Sequence, residues 1–213
     1  MKIACFPVNM FEVNTYVVWN ENSHEAAIID PGMSKPSEQN RINEFISGHH
    51  LSVVALINTH LHIDHTLGND YVSQHYNVKT QANNADAPLG IMRSEQAARF
   101  HLRIPEPTPL HIEHNLENGN RIYLGNEYLI VLTVPGHSPG SIALYSPESK
   151  FVITGDALFN GSIGRTDLFG GNQEILLDSI RKKLFSLPDD TKVYPGHGPS
   201  TTIGREKMFN PFF

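Results

Sequence analysis

The stretch "NTHLHIDHTLGND", residues 58–70, sets His60, His62 and His65 within six positions, with Asp64 among them. Neutral imidazoles and carboxylates are borderline donors that suit zinc, and also iron or manganese. In a turn leaving a strand, alternate residues share a side, so His60 and His62 can address one point. Asp64 and His65, around the bend, can address a second. An isolated H-x-H is more often a polar turn with surface histidines, whereas H-x-H-x-D-H points to metal.

Three other segments add donors. "VPGHSPGS" (134–141) holds His137 in a turn braced by Pro and Gly, "VITGDALF" (152–159) places Asp156 at the end of an apolar strand, and "VYPGHGPS" (193–200) repeats the strand–Pro–Gly–His device with His197. A carboxylate buried unpaired at Asp156 would be costly, and bridging two cations offsets that cost. The seven donors exceed what one tetrahedral ion takes and suit two divalent ions. Such ions turn water into hydroxide near neutral pH and, about 3.5–4 Å apart, stabilise a developing oxyanion. The expected reaction is hydrolysis of an activated acyl bond, with Asp64 and Asp156 orienting the water and no serine or cysteine nucleophile.

These donors need elements to position them. "TYVVW" (15–19) and "EAAIID" (25–30) read as strands around a polar turn, after a first strand in "MKIACFPVNMFEVNTYVVW". "SVVALI" (52–57) is a continuous apolar run, the mark of a strand buried on both faces. Further strands are expected at 121–124, 127–134, 141–146, 151–155 and 192–196. Apolar spacing predicts helices over 37–48 and 174–185, the latter aligning Leu176, Ile180 and Leu184. A helix over 92–103 precedes a Pro-rich segment, "IPEPTPLHIEHN", that reads as a connecting arm or lid. This order suggests an α+β fold, two mixed sheets packed together with helices outside, in one domain spanning 1–213. Asp30, His60, His137, Asp156 and His197 each fall at or just after a strand end, where loops converge on one edge.

Composition bounds the partners. The chain has 213 residues, 39% hydrophobic, with twelve histidines and a net charge of −6. With no Lys/Arg-rich run, nucleic acid and anionic membranes are disfavoured. Cys5 is the only cysteine, which excludes an intrachain disulfide and a cysteine zinc finger. No signal peptide or membrane span is read, so a cytoplasmic protein, monomer or homodimer, is expected.

In the order T-H-x-H-x-D-H, G-H-S-P-G-S, G-D and a final G-H, the motifs resemble those of the metallo-β-lactamase superfamily, over nearly the whole chain. The resemblance implies a four-layer αββα sandwich with two metals, most often zinc, at one edge. By analogy His60, His62 and His137 hold the first metal, Asp64, His65 and His197 the second, and Asp156 bridges them. Asp30, in "IIDPG", matches the motif that supports the histidine loop; the alternative is a simple turn aspartate. Zinc β-lactamases commonly carry cysteine at the position of Asp156 and are exported, which argues against that branch.

"GDALFNGSIGRTDLFGGN" (155–172) resembles the glyoxalase II group and the related persulfide dioxygenases, and the closing "GHGPSTTIGREKMFNPF" is similar to small glyoxalase II-like hydrolases. The implied substrate is a small-molecule thioester such as S-D-lactoylglutathione. Arg165 falls where that group carries a basic residue pairing with the glycine carboxylate of glutathione, a contact a guanidinium makes bidentately. The alternative is an arginine bracing its own loop through Asp167. Two tyrosines of the larger enzymes are replaced here, by Asp167 and within "GPS", and sixteen residues after His197 leave no room for their helical domain. A mononuclear iron dioxygenase using His60, His137 and Asp156 is the second reading, and a non-enzymatic metal-binding domain the third. His49, His50, His101, His111 and His114 read as solvated, and Phe100, Phe209, Phe212 and Phe213 as packing.

Overall fold

The computed structural model describes residues 1–102, 104 and 107–213. Arg103, Pro105 and Glu106, at the end of one expected helix and in the Pro-rich arm, lie outside the described residues. The first sheet takes β1 (Lys2–Val8), β2 (Val13–Trp19), β3 (Glu25–Ile29), β4 (Ser52–Ile57), β5 (Thr80–Ala82) and β6 (His114–Asn115) in that order across its width. β1–β3 pair antiparallel, and β3 to β6 run parallel. Parallel neighbours need a crossover. The one between β3 and β4 is α1 (Pro36–Gly48), which buries Ile42 and Ile46.

The second sheet is built from β7 (Arg121–Leu124), β8 (Glu127–Thr133), β9 (Ile142–Ser146) and β10 (Phe151–Gly155) as an antiparallel meander. A small hairpin, β11 (Leu158–Phe159) and β12 (Ser162–Ile163), follows. A further crossover then brings β13 (Lys192–Pro195) parallel to β10, with β14 (Thr201–Thr202) on the edge.

Side-chain alternation assigns each strand two jobs. Tyr16, Val18, Ile29 and Ile57 face Leu124, Val131, Leu144 and Ile153 in the core between the sheets. Val17, Ile28 and Leu56 turn the other way, onto α1. On the far side Ala143, Val152 and Val193 meet Leu176, Ile180, Leu184 and Ile203. The layers are therefore αββα, as the motif resemblance implies. Only the second half of "SVVALI" is buried on both faces: Ala55, Leu56 and Ile57 are, whereas Val54 is 43% exposed, because β4 emerges at the rim of the sheet there.

Three other expectations change in detail. The first strand is a hairpin, β1–β2, whose bend sets Asn9 and Glu12 at positive φ. The helix expected over 174–185 is α6 (Gln173–Ser179) followed by a wider π-turn, Ile180–Leu184, which keeps Leu176, Ile180 and Leu184 buried. The helix expected over 92–103 is shorter, because His101 adopts a left-handed φ of 52°.

Between β4 and β6 the chain forms α2 (Ile63–Thr66), α3 (Asn69–Tyr76), α4 (Ala87–Ile91) and α5 (Arg93–Arg99). The segment read as an arm is anchored, not loose: Leu110 packs with Leu61, Ala82 and Leu89. Buried Arg93 adds donors to the carbonyls of Thr108 and Thr66. The last helix is α7 (Ile203–Phe209). No helix among the described residues is long and apolar enough to cross a membrane.

Candidate metal centre

The site forms where strand ends of both sheets meet. β4 runs out at Ile57 and delivers His60, His62, Asp64 and His65 through the tight turn of α2. The turn between β8 and β9 supplies His137, the exit of β10 supplies Asp156, and the exit of β13 supplies His197. The β1–β2 hairpin ties the two sheets together here. Asn14 Nδ2 donates to the carbonyls of Pro195 and Gly198, and the Tyr16 hydroxyl donates to Pro195 O at 2.7 Å.

Hydrogen bonds on the outer side of three of the rings fix which nitrogen faces inward. His137 Nδ1 donates to the Arg165 carbonyl at 2.7 Å, and His197 Nδ1 donates to the Phe11 carbonyl at 2.9 Å. A carbonyl only accepts, so both rings carry a proton on Nδ1, and Nε2 is the nitrogen each turns inward. Thr59 Oγ1 commits its proton to Asp30 Oδ2 at 2.6 Å and therefore accepts from His60 Nδ1 at 3.1 Å. His65 Nδ1 faces Asp30 Oδ2 at 3.2 Å, without the alignment of a hydrogen bond. His62 is reversed, with Nδ1 turned inward. Carbonyl and carboxylate partners behind imidazoles are the usual support of metal-binding histidines.

The inward atoms then crowd together. His137 Nε2 is 3.3 Å from His60 Nε2 and 2.8 Å from His62 Nδ1, and His65 Nε2 is 3.3 Å from His197 Nε2. Without a cation each contact needs a proton shared between the two nitrogens; with one, every inward lone pair has a use. Zinc–nitrogen bonds of about 2.0–2.1 Å in a tetrahedron separate ligand nitrogens by about 3.3–3.4 Å, which the His60–His137 and His65–His197 pairs match and the His62–His137 pair undercuts. Asp64 Oδ2 is 3.4 Å from His197 Nε2. Asp156 reaches both groups: Oδ2 lies 3.6 Å from His137 Nε2 and 3.5 Å from His197 Nε2, and Oδ1 lies 3.4 Å from His65 Nε2. Asp156 Oδ1 is buried with no hydrogen-bond partner among the described residues, as an oxygen awaiting a cation would be. The donor sets His60–His62–His137, His60–His65–Asp156 and Asp64–His65–His197 each close within 4.8 Å. The residues present therefore fit divalent metal.

Electrostatics divides the cluster. Burial, reinforced by the neighbouring imidazoles, holds His60 well below the usual histidine range and His62 at about 3. Burial pushes His65 and His197 the same way, but for His65 the carboxylates of Asp156, Asp64 and Asp30 outweigh it and lift the ring well above its ordinary value. For His197, hydrogen bonds to Asp156 and Asp64 outweigh burial and lift it to about 9. Burial would raise Asp156 and Asp64, yet the adjacent imidazoles hold both low.

Arg165 stands on the rim of the cleft, with Nε and Nη2 each 2.7 Å from a carboxylate oxygen of Asp167. His101, His111 and His114 are exposed and belong to none of the three donor sets. His49 and His50 are exposed as expected. Phe100, read as packing, lines the cleft together with Phe11 and Leu168.

Sequence reasoning missed Asp86. This fully buried carboxylate accepts from Leu61 N at 3.0 Å, Ser138 Oγ at 2.8 Å and Gly140 N at 2.6 Å, joining the loop of His60 and His62 to that of His137. Its partners lie 25, 52 and 54 residues away, so "NNADAP" shows only a turn. A fourth link, Asp30 Oδ1 accepting from Thr59 N at 2.7 Å, makes Asp30 a support of the histidine loop.

Comparison with known proteins agrees with this geometry. The sequence profile described as the metallo-beta-lactamase superfamily matches residues 8–197. A curated relative, hydroxyacylglutathione hydrolase GloC of Haemophilus influenzae, is 39% identical over 213 residues, covering 100% of this chain and 98% of its own. The solved structure of TTHA1623 in a di-iron-bound form is 36% identical with a TM-score of 0.85, covering 99% of this chain and 100% of that one. That of BLEG-1 B3 metallo-beta-lactamase is 32% identical, also at 0.85, covering 99% of each chain.

Proposed function

This chain belongs to the metallo-beta-lactamase superfamily, and from that premise we propose that it is a two-metal thioesterase of the glyoxalase II type, cleaving S-(2-hydroxyacyl) thioesters such as lactoylglutathione. The observation that carries the reading is the donor cluster on the floor of an open cleft of about 340 Å³. Among the described residues lining that cleft there is no serine, threonine or cysteine, so the attacking group is water. His60, His62 and His137 would hold one ion, Asp64, His65 and His197 the other, with Asp156 shared. Zinc is the proposed metal, with iron or manganese as substitutes; bound there, divalent ions supply Lewis acidity that brings the pKa of water to about 7 and steadies oxyanion charge.

The chain's own groups do the rest. Asp64, held ionised by its imidazole neighbours and reaching the cleft, accepts a hydrogen bond from the water and orients it. Water adds to the carbonyl carbon, the C–S bond breaks with its electron pair on sulfur, and the proton lost by water ends on the thiolate. A thiol with a pKa of about 8.5 leaves readily. Phe11, Phe100 and Phe159 wall the cleft and limit water around the thioester. Arg165 is the proposed contact for a substrate carboxylate, which would compete with Asp167 for its fork. A cytoplasmic, single-domain protein, monomeric or homodimeric, belongs to the same proposal.

The test is thiol release from S-D-lactoylglutathione by metal-loaded protein, followed alongside oxygen uptake on glutathione persulfide and ring opening of a chromogenic β-lactam. Thioester cleavage lost in Asp64→Asn and His137→Ala is the expected result. Unchanged cleavage in both variants overturns the mechanism. One iron per chain with oxygen uptake and no thiol release would establish the dioxygenase instead. β-Lactam turnover alone would establish the activity in the name of the 32%-identical relative.

A further inference from the structure

Beside the metal cleft lies a second cavity of about 250 Å³, and the two share His62, Phe100 and Leu168 as a common wall. The far wall comes from Leu89 of α4, from Met92 between α4 and α5, and from Phe169 on the loop after Arg165. These are apolar or aromatic groups. Gln96 also lines it, but its amide is spent inside the protein: Oε1 accepts from Ile63 N at 3.0 Å and Nε2 donates to Leu89 O at 2.8 Å. Glu95 and Arg99 are exposed residues of the same lining. Phe169, 50% exposed, stands at the outer edge of this lining.

His62 links the cavity to the chemistry, since its inward Nδ1 belongs to the donor cluster while its ring forms part of the cavity wall. A group attached to a carbonyl carbon held at the cluster is thus within reach of the cavity. A peptide-like thiol carrier such as glutathione would bring amides that Leu89, Met92, Phe100 and Phe169 leave unpaired, at a cost. A hydrocarbon chain brings none. At about 30 Å³ per water-sized group, the space takes about eight such groups.

We propose that this second cavity seats the apolar chain of the acyl group, so that the site takes thioesters of medium-length aliphatic or aromatic acids; the inference rests on the thioesterase reading above. Met92, with its unbranched thioether, adapts the wall to different chains. Phe169 covers the outer end.

The test uses S-acyl-N-acetylcysteamines carrying acetyl, butanoyl and hexanoyl groups on zinc-loaded protein. Each seated methylene multiplies kcat/KM by up to about fourfold, so hexanoyl should exceed acetyl by about 10- to 200-fold. Met92→Trp, which fills the cavity, should bring that ratio to within about threefold of unity, and Phe169→Ala, at an exposed position that tolerates change, should lower it. A ratio near unity in the parent protein, or one that neither substitution moves, overturns the proposal. Calorimetric binding of acetate, butanoate and hexanoate to the same zinc-loaded protein requires no turnover. Tighter binding of hexanoate, lost in Met92→Trp, supports the cavity even if no thioester is cleaved, in which case only the thioesterase reading fails. A flat carboxylate series beside active thioester cleavage overturns the cavity assignment alone.

Discussion

Asp86→Ala removes one carboxylate and loosens two loops. Three donors point at that carboxylate, the N–H groups of Leu61 and Gly140 and the hydroxyl of Ser138, all in buried surroundings. Ser138 Oγ keeps Ser141 Oγ at 2.8 Å, so two backbone N–H groups are orphaned. Each orphan costs about 1–3 kcal/mol, a gross loss of about 2–6 kcal/mol. Part of this is returned, because burial raises the Asp86 pKa and so marks a carboxylate whose charged form is itself costly there. A net loss of about 2–4 kcal/mol remains, within the stability of an ordinary domain, so the variant should fold. Leu61 lies between His60 and His62, and Ser138 and Gly140 follow His137. The loosened loops should therefore also weaken metal binding by the three-histidine half. Urea unfolding of the metal-free variant and competition titration with a chromophoric zinc chelator read the two effects separately. Asp86→Asn retains one acceptor and should fall between the variant and the parent on both. If Asp86→Ala changes metal-free stability by less than about 0.5 kcal/mol and leaves zinc affinity intact, the bracing argument is wrong.

Three further outcomes follow from the geometry. In Gly196→Ala the added Cβ would sit 2.1 Å from Asp156 Oδ1 and 2.8 Å from His65 Cε1, displacing the shared carboxylate; metal per chain by elemental analysis should fall by at least about half. His197, lifted to about 9, and His65, raised well above its ordinary value, are protonated at pH 7 without metal and must lose those protons to bind it, whereas His60 and His62 are already neutral. Affinity for the second ion should therefore rise with pH up to about 9, with proton release seen by calorimetry in buffers of different ionisation heat, and absence of release would contradict it. Arg165→Ala should raise KM for a thioester bearing a carboxylate about tenfold or more while leaving a neutral thioester unaffected, because a charge-assisted pair is worth about 1.5–3 kcal/mol; equal effects on both would assign Arg165 to bracing Asp167.

Much of this was legible along the chain because the governing signals are local. Alternating and continuous apolar runs marked the longer strands of both sheets, while β5, β6, β11, β12 and β14, two or three residues each, are too short to show a period; i, i+4, i+8 spacing marked Leu176, Ile180 and Leu184 even though the helix widens into a π-turn beneath them. Histidine and aspartate at strand exits announced themselves by type, since a turn has little other use for H-x-H-x-D-H. The hairpin bend after β1 was not legible, because non-glycine residues at positive φ, Asn9 and Glu12, carry no strong local signature. The short α5 escaped for the same reason at His101.

What the sequence determined alone was the inventory: donors suited to zinc, iron or manganese, no disulfide, an acidic chain, and elements of the right lengths to form two sheets. Tertiary structure decided how that inventory is oriented. Which nitrogen His137, His197 and His60 turn inward depends on Arg165 O, Phe11 O and Thr59 Oγ1, two of them contributed from 28 and 186 residues away. That Asp86 joins two loops, and that Gln96 spends its amide inward and leaves an apolar wall, depend likewise on contacts between distant segments. Hydrogen bonds act over about 3 Å in space and are indifferent to separation along the chain, so only the folded chain reveals them.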